Sequence, residues 1–172
     1  MSEAGFRTPK RNALELARSA FDLARSGDVV GLRRILDLGL SPDARNERGD
    51  SLLMLASYHG RLDATALLLS RGASPDLAND AGQTPLAGAS FKGDAAVARL
   101  LLDSGASADA PDPVGRTPMM FAAMFDREEI VRLLLARGAD PSARSAGGDT
   151  PASLATSMGA TQALRALTAQ AC

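Results

Sequence analysis

The sequence is poor in the residue types that form disulfides, zinc sites and aromatic cores. It has one cysteine, Cys172, one histidine, His59, and no tryptophan, and aromatic residues make up 3% of its 172 residues. A single cysteine excludes an intramolecular disulfide, and a zinc site built from His and Cys lacks ligands. Because 45% of the residues are nevertheless hydrophobic, we expect a sizeable aliphatic core.

Neither the charge nor the hydropathy of the chain is typical of a protein that binds nucleic acid or a membrane. The 19 basic and 20 acidic residues leave a formal charge of −1, so no overall field attracts phosphate groups. No window approaches the roughly 18 apolar residues of a spanning helix. The N-terminal stretch MSEAGFRTPKRNALELARSAF has no apolar core of the secretory type. We therefore expect a soluble, cytoplasmic protein with no nucleic-acid or membrane partner.

Glycine, by contrast, is frequent and periodic. Three series share an interval of 33 residues: Gly49, Gly82, Gly115 and Gly148; Gly39, Gly72, Gly105 and Gly138; and Gly27, Gly60, Gly93 and Gly159, in which Asp126 takes the place of a glycine. A fixed period of this length predicts a repeat architecture, in which each unit packs only on its neighbours.

Each repeat contains signals for two helices. Thr-Pro pairs at residues 84, 117 and 150 indicate the start of the first helix in each unit, because threonine can cap a helix and proline suits its first position. The short first helix ends at a glycine of the third series. Leucines three and four residues apart, as in EEIVRLLLAR, give the second helix a buried face. Polar, turn-rich segments then connect one unit to the next.

This pattern resembles the ankyrin repeat, whose signature includes Thr-Pro-Leu-His and Gly-Ala-Asp. The chain carries TPLAGAS with GASAD, and TPMMFAA with GADPS. The resemblance implies an all-α ankyrin-repeat solenoid of about five helix-turn-helix units joined by hairpin-like connectors. We predict a flexible tail at residues 1–11 and a single domain at residues 12–172. Its units are expected at about 13–45 (a cap), 46–78, 79–111, 112–144 and 145–172 (a cap).

Two departures from the family pattern bear on stability. The family's histidine after Thr-Pro-Leu is replaced by Met54, Ala87, Met120 and Ser153, which predicts looser connectors. Asp126 stands where the turn between helices calls for glycine, at a cost on the order of 1 kcal/mol. We therefore expect an Asp126→Gly change to stabilise the protein slightly.

The sequence shows no set of residues suited to catalysis. Hydrolases and transferases need a nucleophile, a base and an orienting group that converge, whereas His59 and Cys172 fall in units that do not adjoin. The segments GDVVGL and GGDTPAS lack the glycine spacing and the lysine of a phosphate loop. The carboxylates are expected to serve as caps, turns and solvated faces. We expect no enzyme, cofactor or metal site; the alternative is an enzyme or small-molecule binder that uses carboxylates and arginines of the groove.

The resemblance implies that the first helices line a concave groove with the connector tips beside it. The last two residues of each first helix then face the groove, and three of the six Phe and Tyr residues occupy these positions. Such a stripe is typical of a docking surface. The predicted partner-binding residues are Tyr58, His59, Phe91, Lys92, Met124, Phe125 and Met158 on the stripe, with Arg48 and Arg116 at the connector tips. For Tyr58, Phe91 and Met124 the alternative is burial between units, and Phe121 is assigned to the core.

The identity of the partner is addressed only by resemblance. The segments LAGASFKGD and TPMMFAAMFDREEIVRLLLARGAD are similar to small, stand-alone bacterial ankyrin proteins, some of which are linked to catalase and protection against peroxide. This implies a protein-protein interaction module whose partner is an oxidative-defence protein such as a catalase. We expect a monomer, with a weak dimer through the stripe as an alternative. A third interpretation, a structural spacer, predicts no partner and no exposed stripe.

Overall fold

A computed structural model describes residues 9–169, which form ten α-helices arranged in five pairs. The pairs are α1 (Pro9–Ser26) with α2 (Val29–Asp37), α3 (Leu52–Tyr58) with α4 (Leu62–Ser70), α5 (Pro85–Lys92) with α6 (Ala95–Asp103), α7 (Pro118–Met124) with α8 (Glu128–Ala136), and α9 (Pro151–Met158) with α10 (Thr161–Thr168). Within residues 9–169 there is no strand, only an isolated bridge between Arg45 and Ser51. The expected all-α solenoid is confirmed.

The two chain ends fall largely outside this range. The predicted tail is described only from Pro9 onward, and Cys172 is not among the described residues. Helix α1 begins at Pro9, three residues before residue 12, the predicted start of the domain. Proline is favoured at the first position of a helix, which fits a start at Pro9. Within residues 9–169, no helix is both long enough and apolar enough to cross a membrane.

The helix pairs stack in chain order. Helices α1, α3, α5, α7 and α9 form one row, each packed on the next, and α2, α4, α6, α8 and α10 form a second row behind it. Aliphatic side chains fill the space between the rows, and Leu68, Leu101 and Leu134 have no exposed surface. Phe121 is also buried, as expected. The first row and the connector tips beside it together form what we call the first-helix face.

The helix starts follow the capping signals of the sequence. The hydroxyl groups of Thr84, Thr117 and Thr150 each accept a hydrogen bond from the N–H three residues later, and proline follows each of them. Ser51 caps α3 in the same way, although no proline follows it. An N-cap of this kind stabilises a helix by about 1 kcal/mol, which is substantial for helices of only two turns.

The aspartate in the third glycine series has an unexpected role. Asp126 adopts a left-handed backbone with φ 54°, so the turn lies where the sequence placed it. Its Oδ1 also accepts a hydrogen bond of 2.8 Å from the N–H of Ala163 in the next unit. Helix α10 begins after Ala160, which has no side chain able to cap it. Asp126 therefore supplies a cap to its neighbour, and the stabilisation expected from Asp126→Gly is offset by the loss of that cap.

Replacing Asp126 with alanine is expected to lower the free energy of unfolding by about 1.5 kcal/mol, because the backbone strain stays and the cap is lost. The Asp126→Asn variant is the matched control, since asparagine tolerates a left-handed backbone and keeps an oxygen acceptor. Urea denaturation and hydrogen exchange at the Ala163 amide measure both effects. Equal stability of the alanine and asparagine variants, with unchanged protection of Ala163, would contradict the inter-unit cap.

Hydrogen bonds tie neighbouring connectors together even though the family's histidine is absent. In each case an aspartate carboxylate accepts the backbone N–H of the residue 31 positions later. The donor–acceptor pairs are Ser74 to Asp43 at 2.8 Å, Ser107 to Asp76 at 3.0 Å, and Asp140 to Asp109 at 3.1 Å. These aspartates are structural, as the sequence predicted, and they make contacts between units that offset the looser connectors expected from the missing histidine.

Candidate functional site

Three aromatic side chains form a continuous row across the second, third and fourth units. Tyr58 and Phe91 are stacked, with ring centroids 6.3 Å apart and planes 11° from parallel. Phe91 and Phe125 meet edge to face, with centroids 4.5 Å apart. The three residues lie at the C-terminal ends of α3, α5 and α7, which are adjacent in the stack. We call Tyr58, Phe91 and Phe125 the aromatic row.

The aromatic row is partly exposed to solvent. Tyr58 and Phe125 each expose 37% of their surface, while Phe91 between them is partly covered, as is Met124. Phe125 follows the position equivalent to Tyr58 by one residue, yet it is no more exposed, because it leans on Phe91 of the preceding unit. Met158, at the end of α9, exposes 55%. The structure thus gives Phe91 and Met124 an intermediate position between the groove and the seam.

Two polar side chains lie beside the tyrosine of the row. The ammonium group of Lys92 is 5.1 Å from the centroid of Tyr58, within the range of a cation–π contact. The His59 ring meets the same tyrosine edge to face, with centroids 5.5 Å apart. Both residues are exposed, and Lys92 forms no ion pair among the described residues. Lys92 thus places a cation beside the row, and Asp94 and Glu129 line the same surface pocket as Lys92.

One polar side chain in each connector tip holds the tip together by hydrogen bonds. This role was not predicted from the sequence. In the second to fourth units its side-chain oxygen accepts two backbone N–H groups of the tip, and in the fifth it accepts one. The four residues are Asn46, Asn79, Asp112 and Ser145, again 33 positions apart. The sequence does contain a signal for these residues, because each lies three positions before a glycine of the first series. These bonds fix the tips from which Arg48 and Arg116 project.

The two candidate arginines at the tips differ in their surroundings. Arg116 donates from Nε to the buried carboxylate of Asp112 at 2.8 Å, and its guanidinium group is 5.0 Å from the centroid of Phe121. It is therefore engaged within its own unit. Arg48 is exposed, and only its backbone is held, by Asn46 and by the N–H of Asp80. Of the two, Arg48 is the better placed to meet a partner.

A groove of about 1070 Å³ lies between the first helices and the connectors of the first three units. Arg18, Asp22 and Arg25 of α1 line it, together with Arg48, Tyr58 and His59 of the second unit. Arg25 and Asp22 are paired with each other at 2.8 Å. The α1 residues were not selected from the sequence, because the first unit lacks the Thr-Pro signal at the repeat position. The groove extends the aromatic row toward a polar, mixed-charge end.

The carboxylates of the described residues are mostly engaged with their own chain. Arginines pair with Asp37, Asp80, Asp103 and Glu128 at distances of 2.6–3.0 Å. Among the described residues, no group of three or more His, Cys, Asp and Glu side chains is arranged to hold a metal ion. What the first-helix face presents instead is an apolar row flanked by cations and folded tips.

Comparison with known proteins bears on the fold and on the general role of the repeat. A family model described as "Ankyrin repeats (3 copies)" matches residues 21–112, 53–145 and 104–172. An ankyrin repeat protein of Pseudomonas aeruginosa is 53% identical over 53 residues, a stretch that covers 31% of this chain and 31% of that protein. The match thus spans under a third of the relative's length. Ankyrin repeats in general serve as protein-protein interaction modules. The chain belongs to the ankyrin-repeat family.

Proposed function

We propose that the protein is a non-catalytic module that binds a partner protein through its first-helix face. The aromatic row forms the centre of the interface, and the connector tips form its edge. The observation that carries this proposal is the continuity of Tyr58, Phe91 and Phe125, which touch one another across three units while remaining partly open to solvent. Aromatic side chains are enriched at the centres of protein interfaces.

The contacts within the row also favour binding. Each ring packs against its neighbour, which restricts its side-chain conformations before a partner docks and so lowers the entropy cost of binding. Lys92 and Arg48 lie around the row and fit the polar rim that surrounds the apolar centre of an interface. In contrast, Phe21 and Phe121 are buried within the described range, and Phe21 belongs to the hydrophobic core cluster. The described aromatic residues thus divide into a buried set and a partly exposed set.

Replacing Phe125 with alanine is expected to weaken partner binding by about 2 kcal/mol, or roughly 30-fold, because hot-spot aromatics contribute on that scale. Stability should change less, since 37% of the side chain is already exposed. The affinity is measured by calorimetric titration of the wild type and the variant with the partner, which is first isolated from the native host as a complex and then separated.

The matched control is Leu62→Ala, because Leu62 exposes 42% of its surface on α4 in the second row of helices. It should leave the affinity unchanged. A partner that binds the Phe125→Ala variant at full strength, together with a marked loss of stability in that variant, would assign Phe125 to folding instead of binding.

The partner proposed from the resemblance to small bacterial ankyrin proteins is a protein of oxidative defence, such as a catalase. Two measurements test this: binding to the purified catalase of the same organism, and survival of a deletion strain in peroxide. Binding that depends on Phe125 would support the assignment. Absence of binding with normal peroxide survival would contradict it and leave the interaction face without this partner. We further propose that the free protein is a monomer, which sedimentation at several concentrations tests directly.

A further inference from the structure

Gly88 opens a socket in the middle of the aromatic row. Helix α5 carries Ala87 and Gly88 where the second and fourth units carry Met54 with Leu55 and Met120 with Phe121. The missing side chains leave a cavity of about 110 Å³ between neighbouring units. It is lined by Tyr58, Gln83, Ala87, Gly88, Phe91 and Phe121. All of these except Gln83 present apolar surface or an aromatic ring.

Neither the backbone nor the packing requires glycine at this position. Gly88 lies inside a helix and is not among the glycines with positive φ. A Cβ atom there would meet Tyr58 Cδ2 at 3.4 Å and Met54 Sδ at 3.6 Å, which is ordinary van der Waals contact. Alanine would fit and would stabilise the helix, because glycine is less stable than alanine in a helix interior. The effect of glycine at this position is therefore to leave the cavity open.

We infer that this socket receives one aliphatic side chain of the partner, from a residue that lies next to an acidic one. The inference rests on the proposed function, since it names what the first-helix face recognises. The size of the socket favours an aliphatic group, because a cavity of about 150 Å³ is known to hold a benzene ring and this one is smaller. Leucine, isoleucine and methionine match both its volume and its lining.

The acidic neighbour follows from the charge beside the socket. The Lys92 ammonium group lies over Tyr58, one of the rings that line the socket, and it forms no ion pair among the described residues. A carboxylate one or two residues from the aliphatic side chain would therefore meet a cation that is not held in an ion pair, and it would compete there with Asp94 and Glu129, which line a pocket together with Lys92. The Gln83 side chain adds a hydrogen-bonding group at the socket.

The test uses a displayed library of random peptides, selected on the full chain, and compares binding to the full chain with binding to four variants. The Gly88→Leu variant restores the residue found at the equivalent positions 55 and 154 and fills the socket. Selection on the wild type should enrich an aliphatic residue beside Asp or Glu. A synthetic peptide from that selection should bind the Gly88→Leu variant at least about tenfold more weakly. The Lys92→Ala variant should lose the acidic preference and retain the aliphatic one.

The Gly88→Ala variant separates binding from folding. Its melting temperature should rise by about 2 °C, since alanine favours the helix, while its affinity for the same peptide falls about threefold. This variant carries the test even if the larger leucine disturbs the fold. A peptide that binds both Gly88 variants as tightly as the wild type, or a selection without aliphatic enrichment, would overturn the inference.

The same experiment distinguishes this inference from the proposed function. Peptides that lose affinity for the Phe125→Ala variant but not for the Gly88 variants would overturn the socket and leave the interaction face intact. A selection in which no peptide depends on Phe125 or on Gly88 would overturn both.

Discussion

Replacing Leu101 with alanine is expected to lower the free energy of unfolding by about 3 kcal/mol, the scale of a buried leucine truncation. Leu101 has no exposed surface and lies on α6, which packs against α4, α5 and α8. Because units flank it on both sides, the surrounding side chains have little freedom to move into the cavity that the change creates. Urea denaturation, with the midpoint and slope compared between variants, measures the loss.

The equivalent position in the last unit provides the control. Leu167 lies two repeats after Leu101, on α10, and exposes 8% of its surface. Among the described residues its helix packs on α7, α8 and α9, whereas α6 has a helix pair on each side, so a truncation at Leu167 is relieved by local relaxation. We expect Leu167→Ala to cost about 1.5 kcal/mol, half the loss at Leu101. Equal losses at the two positions would contradict the idea that an end unit is less constrained than the centre.

The fold was predictable from the sequence because its signals are local. Thr84, Thr117 and Thr150 cap their own helices, and the equally spaced glycines form the turns of their own units. Each of these features depends on residues a few positions away, and the period of 33 residues repeats them in register. Once a single unit is identified, its neighbours follow from the same rule.

Contacts between units were much less predictable. The bond from Ala163 to Asp126 and the approach of Phe125 to Phe91 both depend on how far one unit is shifted and rotated relative to the next. Residue spacing carries no information about that displacement. The sequence therefore identified Asp126 as strained but not as a cap, and it placed Phe125 in a groove without the ring on which it leans.

The candidate site shows the same division. The sequence selected the aromatic row by its position in the repeat, and the exposure of Tyr58 and Phe125 agrees with an outward-facing role. It also selected Arg116, whose side chain donates to Asp112 in the structure. This contact was not predictable, because it depends on how the connector tip folds. The socket at Gly88 could not be predicted from the sequence, because a missing side chain becomes a cavity only when Tyr58 and Phe121 close around it.

Gly82→Ala is the second change expected to have a large effect, and Gly72→Ala is its matched control. Both glycines have positive φ, +74° at Gly82 and +84° at Gly72. At Gly72 an added Cβ atom would meet nothing within 4 Å, so that variant measures backbone strain alone, about 1 kcal/mol. At Gly82 the same atom would overlap the ring of Pro113 in the next connector. Overpacking against a rigid ring adds about 2 kcal/mol, for a total loss of about 3 kcal/mol.

The origin of that extra loss can be assigned by a double-mutant cycle. The ring of Pro113 is the group that an alanine at position 82 would strike, and Pro113 itself is exposed at a connector tip. The Pro113→Ala change alone should therefore cost little, and combined with Gly82→Ala it should reduce the loss to about that of Gly72→Ala. Urea denaturation of the four proteins in the cycle, with Gly72→Ala alongside, gives the coupling energy. If the double variant were as unstable as Gly82→Ala alone, the penalty would lie in the backbone of the tip and not in the contact between neighbouring connectors.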